Sequence, residues 1–169
     1  LFQVNARIGV VFNSDNTHSI EKLYYCATLA TRQMRLSHTR GLKVFDEEIN
    51  NRYLRSQQLL SDLRRAINGT FPGLALHYQP ILGLKQDVMG VEVLLRWNHP
   101  SMGYISPLEV VELAENNQLG LPFGRWLLQR LKQDLYKLPD EMRQHLYFSI
   151  NVSPSQFTPR LPNSLAKWL

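Results

Sequence analysis

The residues best suited to chemistry lie in the segment 89–97, whose valine and leucine content predicts a strand. Successive side chains of a strand point to opposite faces, so Glu92, Leu94 and Arg96 share one face. A carboxylate and a guanidinium are costly to bury without a partner. The carboxylate could bind a metal ion, and the guanidinium could hold a phosphate by paired hydrogen bonds. An internal ion pair between Glu92 and Arg96 is the alternative.

Two further predicted strands carry polar groups of a similar kind. In residues 146–152, Asn151 lies near the strand end, where its carbonyl oxygen could bind a hard cation or cap the following turn. In residues 74–82, His77 and Gln79 share a face, and both could donate to a phosphate or a base. We interpret His77 as a structural residue, because no second histidine lies at ligand spacing. These patterns indicate a metal-plus-phosphate site of low specificity.

Several classes of protein are excluded by composition. The chain has no P-loop, dinucleotide-binding glycine motif, nucleophile elbow or zinc motif. Its single cysteine, Cys26, excludes an internal disulfide framework, is interpreted as a buried apolar residue and predicts a reducing cytoplasm. No apolar run approaches the roughly 20 residues that cross a bilayer. Because the sequence starts with Leu1 in a strand-like run, we expect a piece of a longer protein.

The net charge of +5 is unevenly distributed. Residues 30–65 hold eight basic and four acidic side chains, which favours an anionic partner such as a nucleotide or nucleic acid. A solvated helix and turn surface is the alternative interpretation. The basic residues are Arg32, Arg35, Arg40, Lys43, Arg52, Arg55, Arg64 and Arg65, and the acidic ones are Asp46, Glu47, Glu48 and Asp62.

The elements that must position these residues alternate between strands and helices, which predicts an α/β sheet or barrel. Ser106-Pro107-Leu108-Glu109 fits a helix capping box. His99, before Pro100, is interpreted as a loop residue. The predicted strands are residues 4–12, 42–45, 74–82, 89–97 and 146–152, and the predicted helices are residues 19–34, 47–67, 106–116, 122–138 and 161–169. We place a domain boundary within the helix at 47–67.

Dispersed motifs over residues 71–169 resemble the opening of an EAL domain. The naming motif stands here as Glu92-Val93-Leu94, with valine for the usual alanine. The matching segments are residues 78–81, 90–97, 99–100, 103–107, 114–116, 150–153 and 156–157.

The resemblance implies a fold, an activity and a set of site residues. EAL domains are TIM-like barrels that hydrolyse cyclic di-GMP to linear pGpG with Mg²⁺ or Mn²⁺. We therefore expect an incomplete (β/α) barrel of EAL type within an α/β fold. The resemblance assigns Glu92 and Asn151 to metal binding, and Gln79, Arg96 and Leu94 to substrate binding. Further acidic ligands, a lysine, a glutamate and a glutamine of the family are expected beyond the third barrel strand, outside these residues. We expect the chain alone not to hydrolyse cyclic di-GMP.

The front of the chain resembles the closing part of a degenerate GGDEF domain. Residues 7–12 are similar to its last core strand, and residues 27–45 to its closing helix and strand. Thr28, Arg32 and Arg35 replace the aspartate, tyrosine and lysine usual in that helix. The resemblance thus implies three parts: residues 1–46 (GGDEF-like), 47–70 (connecting helix) and 71–169 (EAL).

Three functional hypotheses remain open from the sequence. The first is a piece of a bacterial phosphodiesterase that binds cyclic di-GMP, forms a homodimer through its EAL domain and has no nucleic acid partner. The second is a non-catalytic cyclic di-GMP receptor. The third is a regulatory module that contacts RNA or protein through residues 30–65. For the first, the resemblance implies a cytoplasmic location, which leaves room for an inner-membrane anchor elsewhere in the full-length protein.

Overall fold

The computed structural model describes residues 6–13, 19–85 and 87–151. The chain divides into two compact units, Leu1–Leu59 and Leu60–Leu169. The helix predicted at 161–169, and the last residue of the strand predicted at 146–152, lie outside the described residues.

The first unit contains strand β1 (Arg7–Val10), helix α1 (Ile20–Leu36), strand β2 (Gly41–Val44) and the start of helix α2 (Glu47–Ile67). The two strands pair in parallel, which the intervening helix makes possible because a parallel pair needs a long crossover. Ser19 caps α1: its Oγ accepts a hydrogen bond from the backbone N–H of Lys22 at 3.4 Å.

Apolar side chains at helical spacing form the core of this unit. Leu29 and Ala30 of α1 are buried together with Ile49 of α2, and Phe45 and Tyr53 pack against them. Cys26 is also buried, as the sequence predicts.

The second unit holds a four-stranded sheet and three helices in its described residues, besides the end of α2. Strand β5 and helix α5 were not expected from the sequence, since each is only a few residues long. The elements are β3 (Leu74–Leu82), β4 (Val88–His99), β5 (Gly103–Ile105), α3 (Pro107–Asn116), α4 (Gly120–Leu135), α5 (Asp140–His145) and β6 (Tyr147–Ile150).

Strand β4 is the centre of this sheet. It pairs antiparallel with β3 and β5 and parallel with β6. The short link at residues 83–87 forces β3 and β4 to be antiparallel, because a parallel connection requires a dozen residues or more. The described sheet is therefore mixed, whereas a regular (β/α) barrel is built from parallel strands.

The two faces of β4 differ in burial. Val93, Leu95, Trp97 and His99 are buried on one face, while Glu92, Leu94 and Arg96 on the other are half-buried. Helices α3 and α4 contribute buried apolar side chains at helical spacing to the core of the same unit. These are Val110, Leu113, Ala114, Phe123, Leu127 and Leu131. The sheet thus leaves the face with the polar residues partly open.

Candidate functional site

Three strands bring the predicted site residues to one face of the sheet. Gln79 of β3 lies directly opposite Glu92 of β4, and Ser149 of β6 pairs with Glu92 on its other side. Asn151, which directly follows β6, donates a hydrogen bond from Nδ2 to Oε1 of Glu92 at 3.2 Å. Two residues 59 positions apart in the sequence therefore meet at the predicted metal site. We call this surface the Glu92 face.

The donor set of the Glu92 face fits a hard divalent cation. Mg²⁺ binds through one or two carboxylates together with water and substrate phosphates, so a carboxylate and an amide oxygen are a sufficient protein contribution. The amide of Asn151 turns its nitrogen towards Glu92. An amide nitrogen cannot bind a cation, so the side chain would have to present Oδ1 when a metal is bound. Within the described residues, no group of three or more His, Cys, Asp or Glu side chains could hold a metal.

Arg96 and Leu94 lie on the same face, nearer the carboxyl end of β4. Arg96 stands opposite the small side chain of Ala75, which leaves space over this part of the sheet. Its Nη1 donates to the carbonyl oxygen of Leu95 at 2.8 Å. No ion pair joins Glu92 and Arg96, both of which lie in the described part of the chain. The guanidinium is therefore held by a backbone carbonyl and not neutralised by the nearby carboxylate.

The two predicted polar residues of β3 are both exposed. Gln79 lies opposite Glu92, and His77 lies opposite Leu94, on the same face. Exposure of His77 does not fit the sequence interpretation of a structural barrel histidine. Its imidazole stands beside the residues predicted to bind substrate.

The other face of β3 is anchored to helix α4. The hydroxyl of Tyr78 donates to Oδ2 of Asp134 at 2.9 Å, and Asp134 also accepts from Arg130 and Lys137. Burial and this hydrogen bond raise the pKa of Tyr78. Burial raises the pKa of Asp134, but its hydrogen bonds from Lys137, Tyr78 and Arg130 outweigh that effect and hold the pKa below its ordinary value. The anchor fixes the strand that carries Gln79.

The main feature that the sequence interpretation missed is a buried pair between α2 and the end of β4. Nε2 of His99 and Oδ2 of Asp62 are 3.2 Å apart, and both side chains are only 2% exposed. The interpretation of His99 as a loop residue was wrong, because its ring lies inside the fold. A signal was present in the sequence: Asp62 falls within the apolar stripe of α2 formed by Leu59, Leu63 and Ala66.

Several arginines of the basic stretch at 30–65 contact groups within their own unit. Arg52 pairs with Glu48, and Arg32 lies over the ring of Tyr53. Arg65 forms an ion pair with Asp62 and lies over the ring of Phe71. These contacts favour the interpretation of a structured helix surface. Among the described residues, no helix combines the length and apolar character required to span a bilayer.

Residues 60–169 match the family model of the EAL domain. MucR of Pseudomonas aeruginosa, a bifunctional diguanylate cyclase/cyclic di-GMP phosphodiesterase, is 30% identical over 92% of this chain. The cyclic di-GMP phosphodiesterase PdeR of Escherichia coli is 33% identical over 67% of it. The chain spans 22% and 17% of these relatives.

Solved structures agree with this match. The chain is similar to the PaMucR phosphodiesterase in complex with cyclic di-GMP, with a TM-score of 0.58, 36% identity and coverage of 66% of this chain and 45% of that one. It is also similar to the EAL enzyme Bd1971 in its form bound to cAMP and cyclic di-GMP, with a TM-score of 0.59, 26% identity, and coverage of 90% and 40%. A Vibrio cholerae LapD structure comprising S helix, GGDEF and EAL shares the fold, with a TM-score of 0.52, 17% identity, and coverage of 89% and 35%.

Proposed function

The chain belongs to the EAL domain family, and from this membership and the geometry of the Glu92 face we propose that it is the metal- and substrate-binding opening of a cyclic di-GMP phosphodiesterase. The observation that carries the proposal is the approach of Asn151 to Glu92 at 3.2 Å, with Gln79 directly opposite. Two polar residues from distant parts of the chain converge on a half-open face, where a ligand can reach both side chains.

Glu92 and Asn151 are the proposed ligands of a divalent cation, Mg²⁺ or Mn²⁺. Both offer oxygen atoms, which these cations prefer to nitrogen or sulfur. When bound, the cation supplies charge stabilisation to the phosphodiester. The hydrogen bond from Asn151 orients the Glu92 carboxylate in the metal-free protein.

Arg96, Gln79 and Leu94 are the proposed substrate contacts. The guanidinium of Arg96 can donate two parallel hydrogen bonds to a phosphate once it leaves the carbonyl of Leu95. The amide of Gln79 can donate to a phosphate or pair with a guanine edge, and Leu94 offers apolar contact to a base.

We extend the proposal to the organisation and activity of the chain. Residues 1–46 are the closing part of a degenerate GGDEF-like domain, residues 47–70 connect it, and residues 71–169 open the EAL domain. The strand–helix–strand order of β1, α1 and β2 and the likeness in fold to LapD support this assignment. With a single carboxylate on the described Glu92 face, the chain alone binds cyclic di-GMP without hydrolysing it to pGpG. Homodimerisation through the EAL domain and a cytoplasmic location are further predictions of the family resemblance.

Calorimetry of the 169-residue chain with cyclic di-GMP tests the proposal. We expect binding that strengthens when Mg²⁺ or Mn²⁺ is added, and loss of that metal effect in Glu92→Gln. Arg96→Lys should weaken binding about tenfold, because lysine cannot donate in a bidentate fork. Glu112→Gln, at an exposed position of α3, is the control.

Different results separate the hypotheses. Absence of any binding by the wild-type chain would contradict the proposed site. Binding that is indifferent to metal and to Glu92→Gln would favour the non-catalytic receptor. Release of pGpG by the purified chain would refute the expectation that it does not hydrolyse its ligand.

A further inference from the structure

The buried pair of Asp62 and His99 has a defined hydrogen-bonding pattern. Nδ1 of His99 accepts from the backbone N–H groups of Ser101 and Met102, at 3.3 and 3.2 Å. An accepting nitrogen carries no proton, so the proton of the neutral ring is on Nε2. Nε2–H therefore donates to Oδ2 of Asp62 at 3.2 Å. Both ring nitrogens have fixed partners.

These partners belong to two different elements. Asp62 is on α2, and the two backbone N–H groups that donate hydrogen bonds to Nδ1 lie in the turn between β4 and β5. The turn is short: His99 pairs with Gly103 across it. His99 thus holds the turn through Nδ1 and is itself held by α2 through Nε2.

The pair sits at the end of the strand that carries the proposed substrate contact. His99 is the last residue of β4 and lies three residues after Arg96. Around it, the rings of Trp97 and Phe71 lie at centroid distances of 5.2 and 5.1 Å. Rigid packing of this kind transmits a displacement of the histidine to the strand end, since the aromatic rings leave it little freedom to relax.

We propose that Asp62 is a positioning residue for ligand binding, acting through His99 to hold the carboxyl end of β4 and the guanidinium of Arg96. This rests on the proposed function, in which Arg96 contacts the phosphate of cyclic di-GMP. A buried polar pair adds less net stability than an apolar pair of the same shape. Its directional hydrogen bonds, however, favour one relative position of the two elements that carry it. Asp62 therefore helps to position Arg96 without contacting the ligand itself.

Ligand affinity is the first test. Asp62→Ala in the 169-residue chain removes the acceptor and should weaken cyclic di-GMP binding about tenfold, as displaced supporting groups generally do. Asp62→Asn retains an amide oxygen that can accept from Nε2–H, and should recover affinity to within about threefold of wild type. Arg65→Ala is the matched control, because it removes another partner of the same carboxylate and leaves the bond to His99. Assays are run well below the melting temperature of each variant.

Nuclear magnetic resonance is the second test and needs no ligand. The wild-type His99 ring should show the tautomer protonated at Nε2. In Asp62→Ala, we expect shifted signals for the Ser101 and Met102 amides and for Nε–H of Arg96, with smaller shifts in Asp62→Asn and none in Arg65→Ala. If Asp62→Ala does not fold, His99→Gln replaces it: the glutamine can donate to Asp62 but lacks the ring acceptor for the turn.

The outcomes distinguish this inference from the proposed function. A lower melting temperature with unchanged affinity and unchanged Arg96 signals would show a purely structural pair and overturn the inference. If the wild-type chain does not bind cyclic di-GMP, the proposed function fails, and the resonance data alone decide whether Asp62 positions Arg96. Equal effects of Arg65→Ala and Asp62→Ala would also overturn it, because the role would then belong to the ion pair between Arg65 and Asp62.

Discussion

Gly73 offers a quantitative test of how the β3–β4 pair is aligned. Its backbone has a φ of +94°, and a Cβ added there would lie 2.1 Å from the carbonyl oxygen of Asn98. The carbonyl oxygen of Gly73 also accepts from the N–H of Asn98 at 3.0 Å, which extends the pairing one residue beyond Leu74 and Trp97. Gly73→Ala therefore disturbs the alignment that places Gln79 opposite Glu92.

The expected cost has two parts. A side chain at positive φ costs about 1–2 kcal/mol. Overlap with a backbone atom cannot be relieved by rotating a side chain, and overpacking of this kind costs about 1–3 kcal/mol more. Gly103→Ala is the matched control: its φ is +70°, and an added Cβ would meet nothing within 4 Å. We expect Gly73→Ala to lower the free energy of unfolding by about 2 kcal/mol more than Gly103→Ala.

Urea unfolding followed by tryptophan fluorescence measures the difference. Trp97 and Trp126 both lie in the second unit, and no tryptophan precedes residue 97 in the sequence, so the signal reports on the unit that contains Gly73. The midpoint should fall further for Gly73→Ala at an unchanged slope. Equal midpoints for the two alanine variants would refute the reasoning, since they would show that the close approach to Asn98 contributes nothing.

Two further predictions concern Asp134 and Gly9. Asp134→Asn should lower the free energy of unfolding by about 1 kcal/mol at neutral pH, because the carboxylate accepts charge-assisted hydrogen bonds from Arg130 and Lys137, whose side chains are partly exposed to solvent. The folded-state pKa of Asp134 is depressed, so this stability is present above its ordinary pKa of 3.8 and is lost as the pH falls through the folded value. Acid titration of both proteins checks this, and a difference that stays constant down to the lowest pH would contradict it. Gly9→Ala should speed hydrogen exchange throughout the first unit, since its Cβ would lie 2.0 Å from the carbonyl oxygen of Ala27; unchanged protection there would argue against this contact.

Local sequence features predicted the elements that have clear capping or terminating residues. The bounds of α2 agree with the prediction for residues 47–67, where Asn68-Gly69 ends the helical pattern. Ser106 caps α3 as expected, its Oγ accepting from the N–H of Glu109 at 3.1 Å. By contrast, α4 begins at Gly120, before the predicted start at 122, because proline is tolerated within the first turn of a helix.

Alternation along the strands predicted the composition of the site face but not its contacts. Alternation assigned Glu92, Arg96 and Gln79 to particular strand faces, and the register of β3 and β4 places these faces on the same side of the sheet. It could not predict that Asn151 reaches Glu92, because that contact depends on pairing between β4 and β6. The apolar stripe of α2 marks Asp62 as buried, but no local pattern identifies His99, 37 residues away, as its partner. Contacts between distant segments are set by tertiary packing, which no local pattern records.

Along one edge, strand β4 pairs first with β6 and then with β5. This change of partner affects how a ligand can approach the site. β6 pairs with residues 90–93 and β5 with residues 97–99, so within the described sheet neither strand pairs with residues 94–96. Arg96 therefore lies on the part of β4 between the segments that pair with β6 and with β5. Extending β5 by two residues along this edge would bring main chain alongside Arg96, so the three-residue length of β5 leaves the strand edge beside the proposed phosphate-binding guanidinium uncovered by β5.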